Sequence, residues 1–315
     1  MKKWIVVLII LVVGVVLAGV GYIAGAETSF YIDKNGVHMY EKTPYTVNEP
    51  LPSFSDIDID VDFASVEILR GESYTIDIAF CGDQETMPKY EVIGSTLLIK
   101  QEAENFPKRF HFGFDSLKNT LKIYVPQKSA FDNITVSNNF GDIKITNVAA
   151  GRISVNGDSG DIRINDVIAN TIAIDNKFGD ISLNNIDCDN VDVSTNSGSI
   201  RVDKLTATGI KLKNNFGDTN LKNIESVGLE VSSDAGDVNV SGSLSGHTQI
   251  ENKLGDVKLN IVEKSDCYYN LSTRLGDIGF AGKTHGRQVE IGSPDAQTTV
   301  RISNSVGDIR IDYIT

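Results

Sequence analysis

Apolar residues fall on alternate positions in short runs along most of this chain, and the runs recur at a fixed interval. Between Phe131 and Ala149 the apolar positions are Ile134, Val136, Ile143, Ile145 and Val148. Nineteen residues on, Ile153, Val155, Ile162, Ile164 and Val167 take the same places. The next two steps give Ile172, Ile174, Ile181, Leu183 and Ile186, then Val191, Val193, Ile200, Val202 and Leu205. Period-two alternation in β-branched residues predicts strands with one buried face, and the intervening Thr135, Lys144, Arg163, Arg201 and Lys258 face water. A nineteen-residue unit cannot bury its apolar face alone. Stacked about 4.8 Å apart, the units pair in parallel and share one interior, which predicts an all-β solenoid; about nine rungs give a rod on the order of 40 Å long.

The rungs are punctuated by Gly-Asp, at Gly141, Gly160, Gly179, Gly217, Gly236 and Gly255, with Gly198-Ser199 in the one gap. Further copies at Gly276 and Gly307 follow spacings of 21 and 31 residues. A period near 20 over this many copies marks a stacked-repeat fold. Glycine suits a sharp corner between the two strands, and the Asp is expected to accept N–H groups of its own turn. The residue before each Gly alternates in size: Phe140, Ser159, Phe178, Ser197, Phe216, Ala235. Alternation of large over small predicts interdigitation of neighbouring layers. Ten residues before the Gly, small side chains (Ala150, Ala169, Cys188, Ala207, Ser226, after Phe131) predict a tight second corner.

Around this repeat the chain divides into segments. Residues 1–4 contain Lys2 and Lys3 and precede an uncharged apolar run from Ile5 to Gly25, long enough to span a bilayer as a signal-anchor helix with the N-terminus inside. Ala24-Gly25-Ala26 leaves a cleaved signal peptide as the alternative. Gly21 and Gly25 form a small-residue pair through which two anchors can pack. Residues 26–50, with Pro44 and Pro50, read as an extracytoplasmic stalk. Residues 51–126 lack the rhythm but keep strand-like runs, such as Asp56 to Asp62 and Leu121 to Val125. They read as an irregular β cap on the open end of a solenoid spanning 127–315. Asp56, Asp58, Asp60 and Asp62 read as the charged face of an edge strand. Phe106, Phe110, Phe112 and Phe114 mark a loop that covers the core or meets a partner. The insertion from His285 to Asp295 is expected to cap the other end.

Charge narrows the partners. The chain carries −13 overall. With Lys2 and Lys3 set aside, 27 basic residues face 42 acidic ones, a net −15 that disfavours nucleic acid. Cys81, Cys188 and Cys267 are too few and too scattered for a disulfide framework and read as small core residues. His38, His111, His247 and His285 lack metal-ligand spacing, and neither a nucleophile elbow nor a phosphate loop is present. No catalytic, cofactor or metal residue is assigned on this reading. The sharpest candidate is the aspartate column Asp142, Asp161, Asp180, Asp218, Asp237 and Asp256, held either by backbone N–H groups or by calcium, with the first favoured.

The Asp-Ile-Asp-Ile-Asp run at 56–60, Leu-Leu-Ile-Lys at 97–100, Ile-Tyr-Val-Pro at 123–126 and the serial Gly-Asp-Ile-x-Ile copies together resemble the bacterial "putative adhesin" family of β-strand-repeat proteins. The resemblance covers residues 51–315 and, with the N-terminal anchor, extends to LiaG-type members found with envelope-stress operons of Gram-positive bacteria. It implies a surface-exposed solenoid without catalytic residues, working as a binding or scaffold module at the cell envelope. Its implied partners are the bilayer, through the N-terminal helix, and an unidentified envelope protein or glycan. An enzyme acting on an envelope polysaccharide and a passive spacer are the alternatives.

Overall fold

A computed structural model describes residues 30–33, 36–39, 45–81, 87–101, 110–112, 119–127 and 129–314, the first two segments and 110–112 by their backbone alone. The apolar segment 5–25 lies outside the described residues. Among the described residues no helix is long and apolar enough to cross a membrane.

The alternating pattern produces parallel strands stacked rung on rung. Ile143 pairs with Ile162, Ile162 with Ile181 and Ile181 with Ile200, so identical aliphatics stand one above another. Each of them is at most 1% exposed, which places the repeat's apolar face in one continuous narrow core.

Each rung has three sides rather than two. Along Ile162–Phe178 the buried alternation resets twice, at Asn165–Asp166 and at Asn170–Thr171. The first reset is a kink in which Asn147, Asp166, Asn185, Lys204 and Asn223 adopt positive φ between 54° and 64°. Asn and Asp tolerate this left-handed conformation best, which accounts for four of the five residues. The small residues Ala150, Ala169, Cys188 and Ala207 then point into the core from the third side. They are therefore inward faces of a short strand; the second corner lies at the residues with positive φ.

The stack also extends N-terminally past residue 127. Ile57 and Ile59 pair with Ile134 and Val136, and Val66 and Ile68 pair with Ile143 and Ile145. Thr96–Lys100 and Thr120–Pro126 add a further level in parallel. Asp56–Phe63 is consequently paired on both flanks and is not an edge strand. The edges are antiparallel: Tyr45–Pro50 on Thr75–Phe80, and Lys89–Ile93 on Thr96–Lys100. Tyr45–Pro50 thus belongs to the sheet and not to a free stalk. Glu49, Lys89 and Glu91 put charge on these end strands, a known guard against edge-to-edge pairing. Phe110–Phe112 pairs with Phe30–Asp33, which also pairs with Gly36–Met39, in a separate three-stranded sheet.

At the other end, spatial order departs from chain order. After Val262 the chain skips a level and forms Cys267–Leu275 and Ile278–Phe280 as the outermost rung. It turns back through Lys283–His285 and Gln288–Ile291, which pair antiparallel on that rung. Thr298–Val306 and Ile309–Ile314 then fill the skipped level, between Val238–Leu254 with Val257–Val262 on one side and the outermost rung on the other. The spacings of 21 and 31 are the signature of this insertion: their sum, 52, is the step from Gly255 to Gly307, its true neighbour. Part of the His285 to Asp295 insertion, the Gln288–Ile291 strand, lies over the end as a cap.

Candidate functional site

The Gly-Asp corner is where the repeat departs most from a plain β ladder. The corner glycines take φ between 125° and 157°, a region open in practice only to glycine. In this geometry the Gly–Asp peptide unit turns out of the ladder, and side chains serve both of its polar ends. On the outer side, where an Asp stands one rung back, the N–H of the corner Asp donates to its carboxylate: Asp161 to Asp142 Oδ1 at 2.9 Å, Asp180 to Asp161 at 2.9 Å, Asp237 to Asp218 at 3.0 Å and Asp256 to Asp237 at 2.9 Å. Ser199 N–H donates to Asp180 in the same way, at 2.8 Å. The column runs on through Asp308 and Asp277, in the spatial order of the inserted rung. The aspartates are therefore held by backbone N–H groups, as the sequence suggests, but by those of the next turn instead of their own. Among the described residues no group of three His, Cys, Asp or Glu side chains is placed to hold a metal ion.

On the inner side, a buried amide serves the carbonyl. Asn176 Nδ2 donates to Gly160 O at 3.0 Å and to Gly179 O at 3.4 Å. Asn214 does the same for Gly198 and Gly217, at 3.1 and 2.8 Å, and Asn252 for Gly236 and Gly255, at 3.3 and 2.9 Å. One Asn has two donor hydrogens and so serves two rungs. Asparagine is accordingly needed only on alternate levels, and Gly157, Thr195 and Ser233 occupy the levels between. At Gly157 the fit is also steric, since a Cβ there would lie 2.5 Å from Asn176 Oδ1. This buried amide column escapes a reading of apolar periodicity; its sequence signal is Asn three residues before the Gly of every second rung.

The large residue before the Gly follows the same two-rung rhythm, but it does not enter the core. Phe140 is 52% exposed, Phe178 58%, Phe216 62% and Leu254 52%. The expected interdigitation is absent because the strand has already begun its corner there, and both this residue and the one before it face outward. The result is an outer edge carrying an apolar column, with Ser159, Ser197 and Ala235 on the levels between. At the N-terminal end Phe140 stacks on Phe63, ring centroids 5.1 Å apart and planes within 6°.

Paired charges flank the column. On one flank Lys177 meets Asp158 at 2.6 Å, Lys253 meets Asp234 at 2.7 Å, and Asn215 donates to Asn196 at 3.0 Å. On the other, Arg163 bridges Asp161 at 2.6 Å and Asp142 at 3.4 Å, and Arg201 pairs with Asp180. The Arg201 guanidinium, helped by the Ser199 N–H, holds the Asp180 carboxyl below the usual carboxylate range. A carboxyl whose pKa is lowered by folding stabilises the fold above its ordinary value, near 4, and loses that contribution as pH falls through the lowered value. Wild-type melting temperature is expected to drop in that acid window, and Asp180→Asn to drop less, by calorimetry at a series of pH values. Identical slopes would refute the assignment. The effect is small, because both partners are half exposed.

Cys188 sits in the third-side column, and burial, reinforced by Asp187 and Asp189, pushes its thiol up to about 12, so it stays protonated and inert. Cys267 is buried and Cys81 partly so, and all three are free thiols.

Residues 54–312 match the family model described as Toastrack DUF4097. Several solved structures align with most of the chain. One, from Parabacteroides distasonis ATCC 8503 and described as a "putative lipid binding protein", is 14% identical, with a TM-score of 0.54 over 88% of this chain and 98% of that one. A "putative adhesin" from Bacteroides fragilis NCTC 9343 is 13% identical, with a TM-score of 0.48 over 86% and 98%. Another from Parabacteroides merdae ATCC 43184 is 11% identical, with a TM-score of 0.47 over 87% and 98%. At 14% identity the likeness to the Parabacteroides distasonis structure is one of fold alone. No curated protein matches the chain.

Proposed function

The chain belongs to the Toastrack DUF4097 family, and from that footing we propose that it is a non-catalytic binding module of the cell envelope, tethered to the membrane by its N-terminal segment. The observation that carries this reading is the exposed apolar column on the Gly-Asp edge. A surface selected only for solubility has no use for Phe140, Phe178, Phe216 and Leu254 in a line. A rigid stack of parallel strands holds such a line at fixed spacing, as a platform for an extended partner requires. Asp158, Asp161 and Asp180 on this edge are engaged in ion pairs with Lys177, Arg163 and Arg201, an arrangement that suits recognition better than proton transfer. The anchor is proposed from Lys2, Lys3 and the uncharged run after them, with the stack outside the membrane. The LiaG-type resemblance adds a link to envelope stress as part of the same proposal.

The test uses the full-length protein in lipid nanodiscs mixed with insoluble cell-wall material from the source bacterium. Wild type is expected to cosediment with the wall, and Phe178→Ser/Phe216→Ser to stay in the supernatant. Wild type that remains in solution, or a double variant that sediments equally, would overturn the reading.

A further inference from the structure

Resting on that reading, we infer that the apolar column is a binding track for an extended, uncharged β-1,4-linked polysaccharide lying parallel to the stack axis, with its sugar rings stacked on Phe140, Phe178 and Phe216. Three features of the edge select this ligand. The first is spacing. The phenylalanines recur every 38 residues, which is two rungs, or about 9.6 Å along the axis at the usual strand separation. In an extended β-1,4-linked chain each sugar is turned over relative to the last, so the same ring face returns once per disaccharide. That repeat is close to two strand spacings, and rings on every second rung meet the same face of every second sugar. The small Ser159, Ser197 and Ala235 leave room for the sugars between.

The second feature is charge. Lys177 with Asp158, Lys253 with Asp234, Arg163 with Asp161 and Arg201 with Asp180 pair their charges along the two flanks, and the Gly-Asp flank keeps an acidic excess at Asp218 and Asp237. Such flanks offer hydrogen-bond donors and acceptors to hydroxyl groups, and their engaged bases and acidic excess disfavour an anionic peptide or an anionic lipid head group.

The third is width. From Phe140 through Leu254 to Val306 and Leu275 the column covers eight rung steps, about 38 Å, and is one side chain wide. That strip falls well short of the roughly 800 Å² per partner needed for a stable protein dimer. It fits a ligand that is itself a thin thread.

The experiment titrates full-length protein in lipid nanodiscs with cellohexaose and chitohexaose, and with maltohexaose as the coiled α-1,4-linked control, by calorimetry. The two β-1,4-linked oligosaccharides are expected to bind and maltohexaose is not. Phe178→Ser should weaken binding roughly tenfold, the upper range for one aromatic contact. Phe178→Ser/Ser197→Phe keeps the number of rings but moves one by a single rung. It should weaken binding as much as Phe178→Ser does. Binding unchanged in this shifted variant, or maltohexaose bound equally well, would overturn the track. So would a dimer in analytical ultracentrifugation that Phe178→Ser dissolves, since the column would then be covered by a second copy. If neither β-1,4-linked oligosaccharide binds while cell-wall material still retains the wild type, the glycan assignment falls and the envelope-binding reading stands. Failure of both removes the two together.

Discussion

Gly179→Ala is expected to abolish the folded stack, with a loss of more than about 4 kcal/mol. Two costs coincide at this site. The backbone is held at φ 130°, where an L side chain is strained. The new Cβ would also lie 2.1 Å from Gly160 O and 2.6 Å from its carbonyl carbon. Those atoms belong to backbone locked by the ladder and by the Asn176 amide, so no rotamer change relieves the clash. Relief would require separating two rungs, and every pairing above and below resists that. Gly94→Ala is the control. Gly94 also has positive φ, 62°, but no atom lies within 4 Å of its added Cβ. It should cost only about 1 kcal/mol of backbone strain. Circular dichroism melts of both variants decide the matter: similar midpoints would show that the corner glycines are not under steric constraint from the rung below.

The contrast between these glycines also shows what is legible in the chain and what is not. Stacking of Ile143, Ile162 and Ile181 follows from periodicity alone, because a period-two apolar pattern repeated at one interval has a single way to bury itself. The corner at Gly160 is equally readable. The third side is not, since two resets of the alternation within Ile162–Phe178 look like ordinary polar positions until backbone φ is known. Phe178 misleads for a related reason. Its size and regular recurrence suggest core, yet it lies past the point where alternation fixes a face, and only the corner geometry turns it outward. The inserted C-terminal rung is hidden because chain order carries no information about which level a segment fills; irregular spacing is the only trace. Asp56–Phe63 reads as an edge because its neighbours in sequence lack the rhythm, whereas its neighbours in space supply strands on both flanks. Composition, the weakest guide to the fold, is more useful at the edge: the acidic excess of the chain continues in the Asp column beside the Phe column and disfavours an anionic partner there.

Two deletions of equal length test the two-rung logic of the corner. Removing residues 160–178 joins Ser159 to Gly179 and takes out Asn176 and Phe178; removing 179–197 joins Phe178 to Gly198 and takes out Thr195 and Ser197. Each removes one rung of nineteen residues, one Gly, and a comparable set of core aliphatics, so the loss of stacking is the same in both. They differ in who serves the corner carbonyls. In the first, the joined corner keeps Gly179, whose carbonyl has lost the Asn176 amide; Asn138 is committed to Ala64 and Gly141, and Asn214 to Gly198 and Gly217. In the second, Asn176 and Asn214 stand on adjacent levels and every corner carbonyl keeps a donor. The native stack already contains that arrangement, where Asn252 and Asn304 pair on neighbouring rungs and both donate to Gly255 O at 2.9 Å. Phe178 would then lie over Phe216, as Phe140 lies over Phe63. The first deletion is therefore expected to be less stable than the second by roughly 1 kcal/mol, since Gly179 O exchanges the Asn176 amide for the Thr195 hydroxyl, at the position from which Thr273 Oγ1 serves Gly307 O at 3.0 Å. Urea unfolding of the two proteins gives the difference directly. Equal stabilities, or the reverse order, would mean that the amide on alternate rungs is not what sets the two-rung period.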